Sequence, residues 1–249
     1  MEERQATQQI GRWLFGLSIA ATTLMSFLVP DDLKFQKPEL ARIFFFHFPC
    51  AIATTIFLVM AAIYSLKFLR KGGVEYDVKA LASQELGTLF ALLTLATGML
   101  FSKVQWGAWW QWDPRQTSFL LVICVLFAYF ALRGAHQDET RRRTNAAVYA
   151  VCGFLPLIFL IFVFPRLPHI VSFHPNDTVS GGLLKGGYRT VVMAMLVLIT
   201  TLSIWIFRMR VRAELLEIQL EEYLGKLETR GSDSTPTGVV RPISLPPQG

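Results

Sequence analysis

The 249-residue chain has only three cysteines, Cys50, Cys124 and Cys152. All three fall in strongly apolar stretches, their number is odd, and no Cys-x-x-Cys pair is present. The sequence therefore offers no disulfide framework, no zinc or redox pair and no Cys-x-x-Cys-His haem attachment. Charge is scarce too: 17% of residues are Asp, Glu, Lys or Arg, against 53% hydrophobic, with twenty phenylalanines. A soluble globule could not cover itself with so little polar surface. Phosphate loops, Gly-x-Ser-x-Gly elbows and His-Glu-x-x-His pairs are all missing, so no motif marks the chain as an enzyme or lets it hydrolyse a nucleotide. Period-two alternation of apolar and polar residues is missing as well, which argues against lipid-exposed strands.

The apolar residues are segregated into six stretches that approach or reach the length needed to cross about 30 Å of hydrocarbon. They run from Arg12 to Val29, Ile43 to Leu66, Leu81 to Phe101, Thr117 to Leu132, Ala146 to Phe164 and Thr190 to Phe207. The flank Val29-Pro30-Asp31-Asp32 lacks a small-x-small cleavage site, so the first stretch is read as a span and not as a cleaved signal. The expected fold is an all-α polytopic membrane protein with six transmembrane helices, forming a domain over residues 1–211.

Orientation follows from the connections. Sixteen of the 24 lysines and arginines fall on the side that carries both termini. Positive residues stay inside, so both termini are expected in the cytoplasm. The formal charge of +6 is then topology bias and does not point to nucleic acid. The outer connections are Pro30 to Arg42, residues 102–116 and Pro165 to Arg189. Beyond the last span, residues 212–230 place apolar side chains at helical spacing among glutamates and predict a cytosolic amphipathic helix. Residues 231–249, rich in proline, serine and glycine, predict a disordered tail.

Four of the six tryptophans lie within seven residues of the second outer loop: Trp106, Trp109, Trp110 and Trp112, in Trp-Gly-Ala-Trp-Trp-Gln-Trp-Asp-Pro-Arg. Interfacial anchoring accounts for scattered tryptophans. A cluster confined to one loop suggests instead a surface for a large flat partner. Trp106, Trp109 and Trp110 would share one face if the loop were helical, and Gly107 would let a flat ligand approach closely. Asp113 could orient the loop or a ligand histidine.

Of the four histidines, His136 reads as a solvated residue of an inner loop. His47 follows Arg42 by five residues, which places it about 7 Å inside the outer end of the second span. An imidazole at that depth is a functional candidate, or else bonds a neighbouring helix. His169 and His174 lie in the third outer loop. A rim histidine, a loop histidine and an aromatic platform on one face suit a haem, which needs two axial nitrogens, apolar walls and cations for its propionates. Arg115, Arg42, Lys103, Lys185 and Arg189 are the candidate propionate partners.

The run from Trp106 to Arg115 resembles the WWD signature of the haem-handling proteins of cytochrome c biogenesis. With six spans, His47 in Arg-Ile-Phe-Phe-Phe-His-Phe-Pro and His174 in the next outer loop, the chain is similar to the CcmC family of haem exporter proteins from about Arg12 to Arg210. The resemblance implies a protein of the bacterial inner membrane that binds haem b transiently at the periplasmic face. His47 and His174 would be its axial iron ligands, and Trp106, Gly107, Trp109, Trp110, Trp112, Asp113 and Arg115 its loop contacts. It further implies delivery to the haem chaperone CcmE, beside the CcmA–CcmB ATP-binding transporter and the small membrane protein CcmD. Two departures stand out. Phe101-Ser102-Lys103 replaces the tryptophan and glycine common before the motif, and Phe-His-Pro-Asn replaces a Leu-His-Gln around His174, which keeps His169 open as a second ligand. The alternative readings are a membrane b-type redox protein that retains its haem, and a secondary transporter without haem.

Overall fold

Six long helices make up the structure, a computed structural model that describes residues 2–31, 35–174, 184 and 186–233. They are α1 (Glu2–Leu28), α2 (Phe44–Lys71), α3 (Val74–Trp106), α4 (Pro114–Gly134), α5 (Glu139–Ile158) and α6 (Gly186–Asp233). A 3-10 turn, Pro38–Ile43, leads into α2. After α5 the helix widens into a π-turn, Phe159–Val163, and then tightens into a 3-10 turn, Phe164–Arg166. No strand occurs among the described residues. Six of these segments are long and apolar enough to cross a membrane, so the chain is a multi-pass, all-helical membrane protein.

Each helix runs past at least one end of the apolar stretch that marks it in the sequence, although α5 gives way to the π-turn at Phe159 before its stretch ends. The inner connection expected from Lys67 to Lys79 shrinks to Gly72 and Gly73, both with positive φ (70° and 94°). The flanking charges belong to the helices, where they complement the backbone dipole: Arg70 and Lys71 in the last turn of α2, Glu75 and Asp77 in the first turn of α3. Asp138 caps α5 by accepting from the Arg141 N–H at 2.8 Å.

Contacts divide the chain into one unit of residues 1–211 and another of residues 212–249. In the second unit, Leu216, Leu220, Tyr223, Leu224 and Leu227 are exposed on helix. Residues 231–233, at the head of the expected disordered tail, are helical, and the tail from residue 234 lies outside the described residues. In the first unit α2 and α3 pack closely over small side chains. Ala53, Ala61 and Ala91 are buried, and a Cβ at Gly87 would already be 3.5 Å from that of Phe57. One core cluster gathers Val29, Phe45, Tyr188 and Val192 beneath the first outer loop, and the Tyr188 hydroxyl donates to the Ala41 carbonyl at 3.0 Å. A second joins Leu58, Ala91, Val122 and Leu126 to Leu157 and Ile161. By contrast α1 exposes Trp13, Leu17 and Phe27, as suits a helix whose solvent is lipid.

Two ion pairs tie the bundle together. Asp77 takes both Nη atoms of Arg133, at 2.8 and 2.7 Å, with Arg143 at 3.5 Å. Glu85, for which the sequence suggests Arg70, Lys71 or Lys79 as partner, pairs instead with Arg210 of α6 at 2.8 and 3.0 Å. Lys79 is already engaged by Glu75 one turn back, and Arg70 and Lys71 lie on the exposed end of α2. Asp77→Ala leaves Arg133 buried without its partner and is expected to cost about 3–5 kcal/mol. Glu75→Ala breaks only an exposed pair and should cost below about 0.5 kcal/mol. Thermal unfolding in detergent separates the two, and equal melting temperatures would contradict the assignment.

Candidate functional site

The tryptophan loop does not continue α3. That helix ends at Trp106, and Gly107 closes it in the left-handed conformation (φ 90°), its N–H bonded to the Lys103 carbonyl at 3.1 Å. Residues 107–113 are irregular, so Trp106, Trp109 and Trp110 do not form the single helical face that their spacing suggests. Side chains of the bundle pin this loop from below. Ser102 Oγ donates to the Ala108 carbonyl at 2.8 Å, Gln116 Oε1 accepts the Gln111 N–H at 3.0 Å, and Gln116 Nε2 donates to the Trp109 carbonyl at 3.2 Å. Trp112 adopts φ 54°, a left-handed conformation costly for so bulky a residue, immediately before the chain turns into α4.

Asp113 makes that turn and does more. It is the N-cap of α4, with Oδ1 accepting from the Arg115 N–H at 2.9 Å and Pro114 filling the first helical position. Its Oδ2 accepts from Ser172 Oγ at 2.8 Å and from the Phe173 N–H at 2.7 Å. His174 Nδ1 lies 3.3 Å from Oδ1, a close contact without hydrogen-bond alignment. One carboxylate thus docks the third outer loop onto the second. Burial alone would raise the Asp113 pKa. The His174 contact and the Arg115 and Phe173 amides outweigh it and hold the group well below the usual carboxylate range.

On the facing side, His47 sits in the first turn of α2 and stacks on Phe101 with ring centroids 6.5 Å apart. Its Nδ1 is 3.0 Å from Thr97 Oγ1 on α3. That hydroxyl has one proton, and it is directed to the Leu93 carbonyl at 2.6 Å. Thr97 therefore accepts from His47, which fixes the imidazole as the Nδ1–H tautomer and leaves the Nε2 lone pair for a ligand. Gly98 supplies the space: a Cβ there would come within 3.0 Å of His47 Cε1.

Both histidines line one cavity of about 610 Å³, a size usual for sites that take small molecules and cofactors. Its walls are chiefly aromatic and aliphatic, including Phe44, Phe48, Phe101, Trp106 and Phe119, with Arg115 and Arg166 as its cations among the described residues. Trp106 meets His174 edge-on at 4.8 Å and stacks on Phe173 at 5.4 Å.

The structure therefore brings together His47, His174, Trp106 and Arg115, with Asp113 directly behind His174. Gly107, Trp109, Trp110 and Trp112 do not line this cavity; Trp109 and Trp112 are exposed, and Trp110 packs edge-on against Trp112. His169 is exposed and off the cavity wall, as is Arg189, and Lys185 lies outside the described residues. Cys50 is buried and also off the wall. Arg42 and Lys103 are used structurally: Arg42 bonds the Ser26 carbonyl and Asp31, both at 2.6 Å, and Lys103 bonds the Gly107 carbonyl at 3.0 Å. The sequence reading missed Thr97, Gly98, Ser172 and Arg166. It also missed Gln105, which clamps the Lys37 backbone through both amide atoms at 3.0 and 2.9 Å. Thr97, Gly98, Ser172 and Gln105 act across helices or loops far apart in sequence, so local patterning carries no sign of them, while Arg166 bonds carbonyls of its own segment at a widened helical turn.

A family model described as CcmC, heme exporter protein C, matches residues 3–224 of this chain. Among curated proteins, the chain is similar to a heme exporter protein C of Paracoccus denitrificans, 33% identical over 57% of this chain and 59% of the relative. It is also similar to a putative cytochrome c biosynthesis ccmC-like mitochondrial protein of Marchantia polymorpha, 30% identical over 59% of this chain and 60% of that protein. The heme exporter protein C of Escherichia coli K12 is 26% identical over 80% of this chain and 76% of its own length. The matches thus span about 60% of the length of the first two relatives.

Asp113→Ala removes the α4 cap and the anchor of the third loop together. Hydrogen exchange of the Phe173 amide is expected to speed up at least tenfold, since the change costs about 1 kcal/mol at the cap alone and the loop bonds are lost as well. Because folding depresses the Asp113 pKa, its contribution is complete above the unfolded value of about 3.9 and fades only as pH falls below it. The wild-type amide should therefore stay protected at pH 5 to 8. Protection lost within that window would contradict the assignment.

Proposed function

The chain belongs to the CcmC family of haem exporter proteins, and from that premise we propose that it binds haem at the periplasmic face of the bacterial inner membrane and delivers it to the haem chaperone CcmE. His47 and His174 are the axial ligands, each through Nε2. Both termini lie in the cytoplasm, in keeping with the excess of lysine and arginine on their side. CcmA–CcmB and CcmD are the membrane partners, and CcmA–CcmB provides the ATP-driven step.

The observation that carries this reading is the shared cavity. Two imidazoles from different elements line one apolar chamber, and each has a partner near Nδ1, Thr97 Oγ1 for one and Asp113 Oδ1 for the other. Second partners of this kind orient a ligand imidazole and raise its basicity. No group of three or more His, Cys, Asp or Glu side chains suited to a bare metal ion occurs among the described residues. Two nitrogens suit an iron whose other four donors come from a macrocycle, and the aromatic walls suit the macrocycle itself.

The unequal mounting of the two ligands favours transfer over retention. His47 stands on a spanning helix, whereas His174 lies in a loop segment that Asp113 holds through Ser172 and the Phe173 amide. A b-type electron-transfer protein gains from holding both ligands on facing helices. A donor of haem gains from one ligand that can let go. Trp109 and Trp112, exposed beside the cavity mouth loop, offer apolar surface to the receiving chaperone.

Purification in detergent, with haem stain and absorption spectrum, tests the reading. The parent is expected to show a six-coordinate bis-histidine spectrum that His47→Ala and His174→Ala each abolish or convert, while His169→Ala leaves it unchanged. Thr97→Val should weaken haem affinity about tenfold or more while sparing insertion. A parent that stays free of haem even when co-produced with its membrane partners would overturn the proposal.

A further inference from the structure

One wall of the cavity comes from the first outer loop, through Phe35 and Gln36. Beside them Lys37 is held by Gln105, a buried residue in the last turn of α3 that also lines the cavity. We propose that Gln105 is a positioning residue that closes this loop over the ligand, a role that rests on the haem reading above. The pairing of Gln105 with Lys37 sets how fast ligand enters and leaves, whereas the histidines set how it is held.

Local geometry prepares Lys37 for this partner. Pro38 disfavours the helical conformation in the residue before it, and Lys37 accordingly has φ −127° and ψ 85°. Its own N–H and C=O face the same side of the chain, the arrangement found in a hydrogen-bonded pair of an antiparallel ladder. A primary amide answers both groups at once, because it carries a donor and an acceptor side by side. Gln105 Oε1 accepts the Lys37 N–H at 3.0 Å, and Gln105 Nε2 donates to the Lys37 carbonyl at 2.9 Å. A leucine there makes neither bond, and an ionised glutamate makes only one.

One face of α3 carries the rest of the arrangement. Gly98 makes room for His47, Phe101 meets both His47 and Phe35, and Gln105 holds Lys37. These positions, i, i+3 and i+7, share a helix face. Phe35 packs edge-on against Phe101 at 6.0 Å, with Phe44 and Tyr188 at 6.1 and 5.8 Å, ring centre to ring centre. Ring contacts tolerate sliding, whereas hydrogen bonds weaken steeply when misaligned, so the amide fixes the position of the loop. Arg42, bonded to the Ser26 carbonyl and Asp31, anchors the far end of the loop and leaves Phe35–Lys37 as the part that the amide controls. Opening this stretch disturbs neither imidazole. Opening the Ser172–His174 segment, by contrast, carries a ligand histidine with it. The first outer loop is therefore the wall that moves with both histidines in place.

Haem capture by the detergent-purified protein in stopped flow, and haem loss to excess apomyoglobin as scavenger, give the two rates. In Gln105→Leu both are expected to rise about tenfold, because two hydrogen bonds no longer oppose opening of the loop. Affinity should stay within about threefold, since entry and exit through one opening speed up together, and the bis-histidine spectrum at saturation should be unchanged. Pro38→Ala, which leaves the cavity side chains as they are, should raise both rates by a smaller factor, and it carries the same test if Gln105→Leu does not fold. Unchanged rates with a lowered melting temperature would reduce Gln105 to a structural residue and overturn the proposal. Faster loss without faster capture would also overturn it, as the mark of a direct ligand contact, and so would an altered spectrum, which places the effect at the iron. Hydrogen exchange of the Lys37 amide in the haem-free protein needs no ligand. It should quicken about tenfold in Gln105→Leu, and equal exchange would overturn the pairing. A parent that takes up no haem would defeat the haem reading and the rate-setting role with it, while the exchange experiment would still decide whether Gln105 holds the loop.

Discussion

The outer half of this protein depends on one buried carboxylate. Asp113 starts α4, terminates the tryptophan loop and receives the Ser172–His174 segment, so three pieces of chain meet on two oxygen atoms. Burying an acid is expensive unless its lone pairs are met, and here they are met by two amides and a hydroxyl, with the His174 imidazole 3.3 Å away. The depressed pKa follows from the same balance: the contacts outweigh the burial. A loop histidine is ordinarily free to wander. Through Asp113 it is delivered to the cavity that a helix histidine enters from another side. The left-handed Trp112 just before it marks the backbone cost of making that junction.

What the sequence disclosed and what it hid divide along the range of the interactions. The spans were legible because hydropathy is a local property and the bilayer sets its length. Their ends were not, because polar residues such as Glu75 and Arg70 extend a helix beyond its apolar stretch. His47, His174, Trp106 and Arg115 could be singled out by type and context, and the cavity brings these four together. The helical face of tryptophans failed for a reason the sequence itself contained: Gly107 is a helix terminator as much as a site of close approach. Thr97, Gln105 and Arg166 were illegible. A threonine in a membrane helix, a glutamine near its end and an arginine after a proline acquire meaning only when the partner, 50 or 68 residues away or at a widened helical turn, is known.

The tryptophans take on different roles once placed. Trp106, the last residue of α3, is the one that joins the cavity, where it supports both Phe173 and His174. The other three belong to an irregular loop whose carbonyls are gripped by Ser102 and Gln116, with Trp109 and Trp112 turned outward. Density of indole in the sequence is thus two features side by side: a wall residue inherited from the helix and an exposed apolar surface carried by the loop. Gln116 matters here because it ties the loop to the helix that carries Arg115.

Rigidity is distributed unevenly around the cavity, and the unevenness has a chemical consequence. His47 is locked by Thr97, by the missing Cβ of Gly98 and by a spanning helix on either side. Arg166 is locked by carbonyls that the π-turn leaves over. The Ser172–His174 segment depends mainly on a carboxylate it shares with α4. A ligand gripped at iron would be loosened at the point where the restraint is weakest. If both imidazoles hold the iron, as proposed, His174 on its loop segment would be the one to let go and His47 on its spanning helix the one to stay, a difference of mounting that composition and spacing could not express.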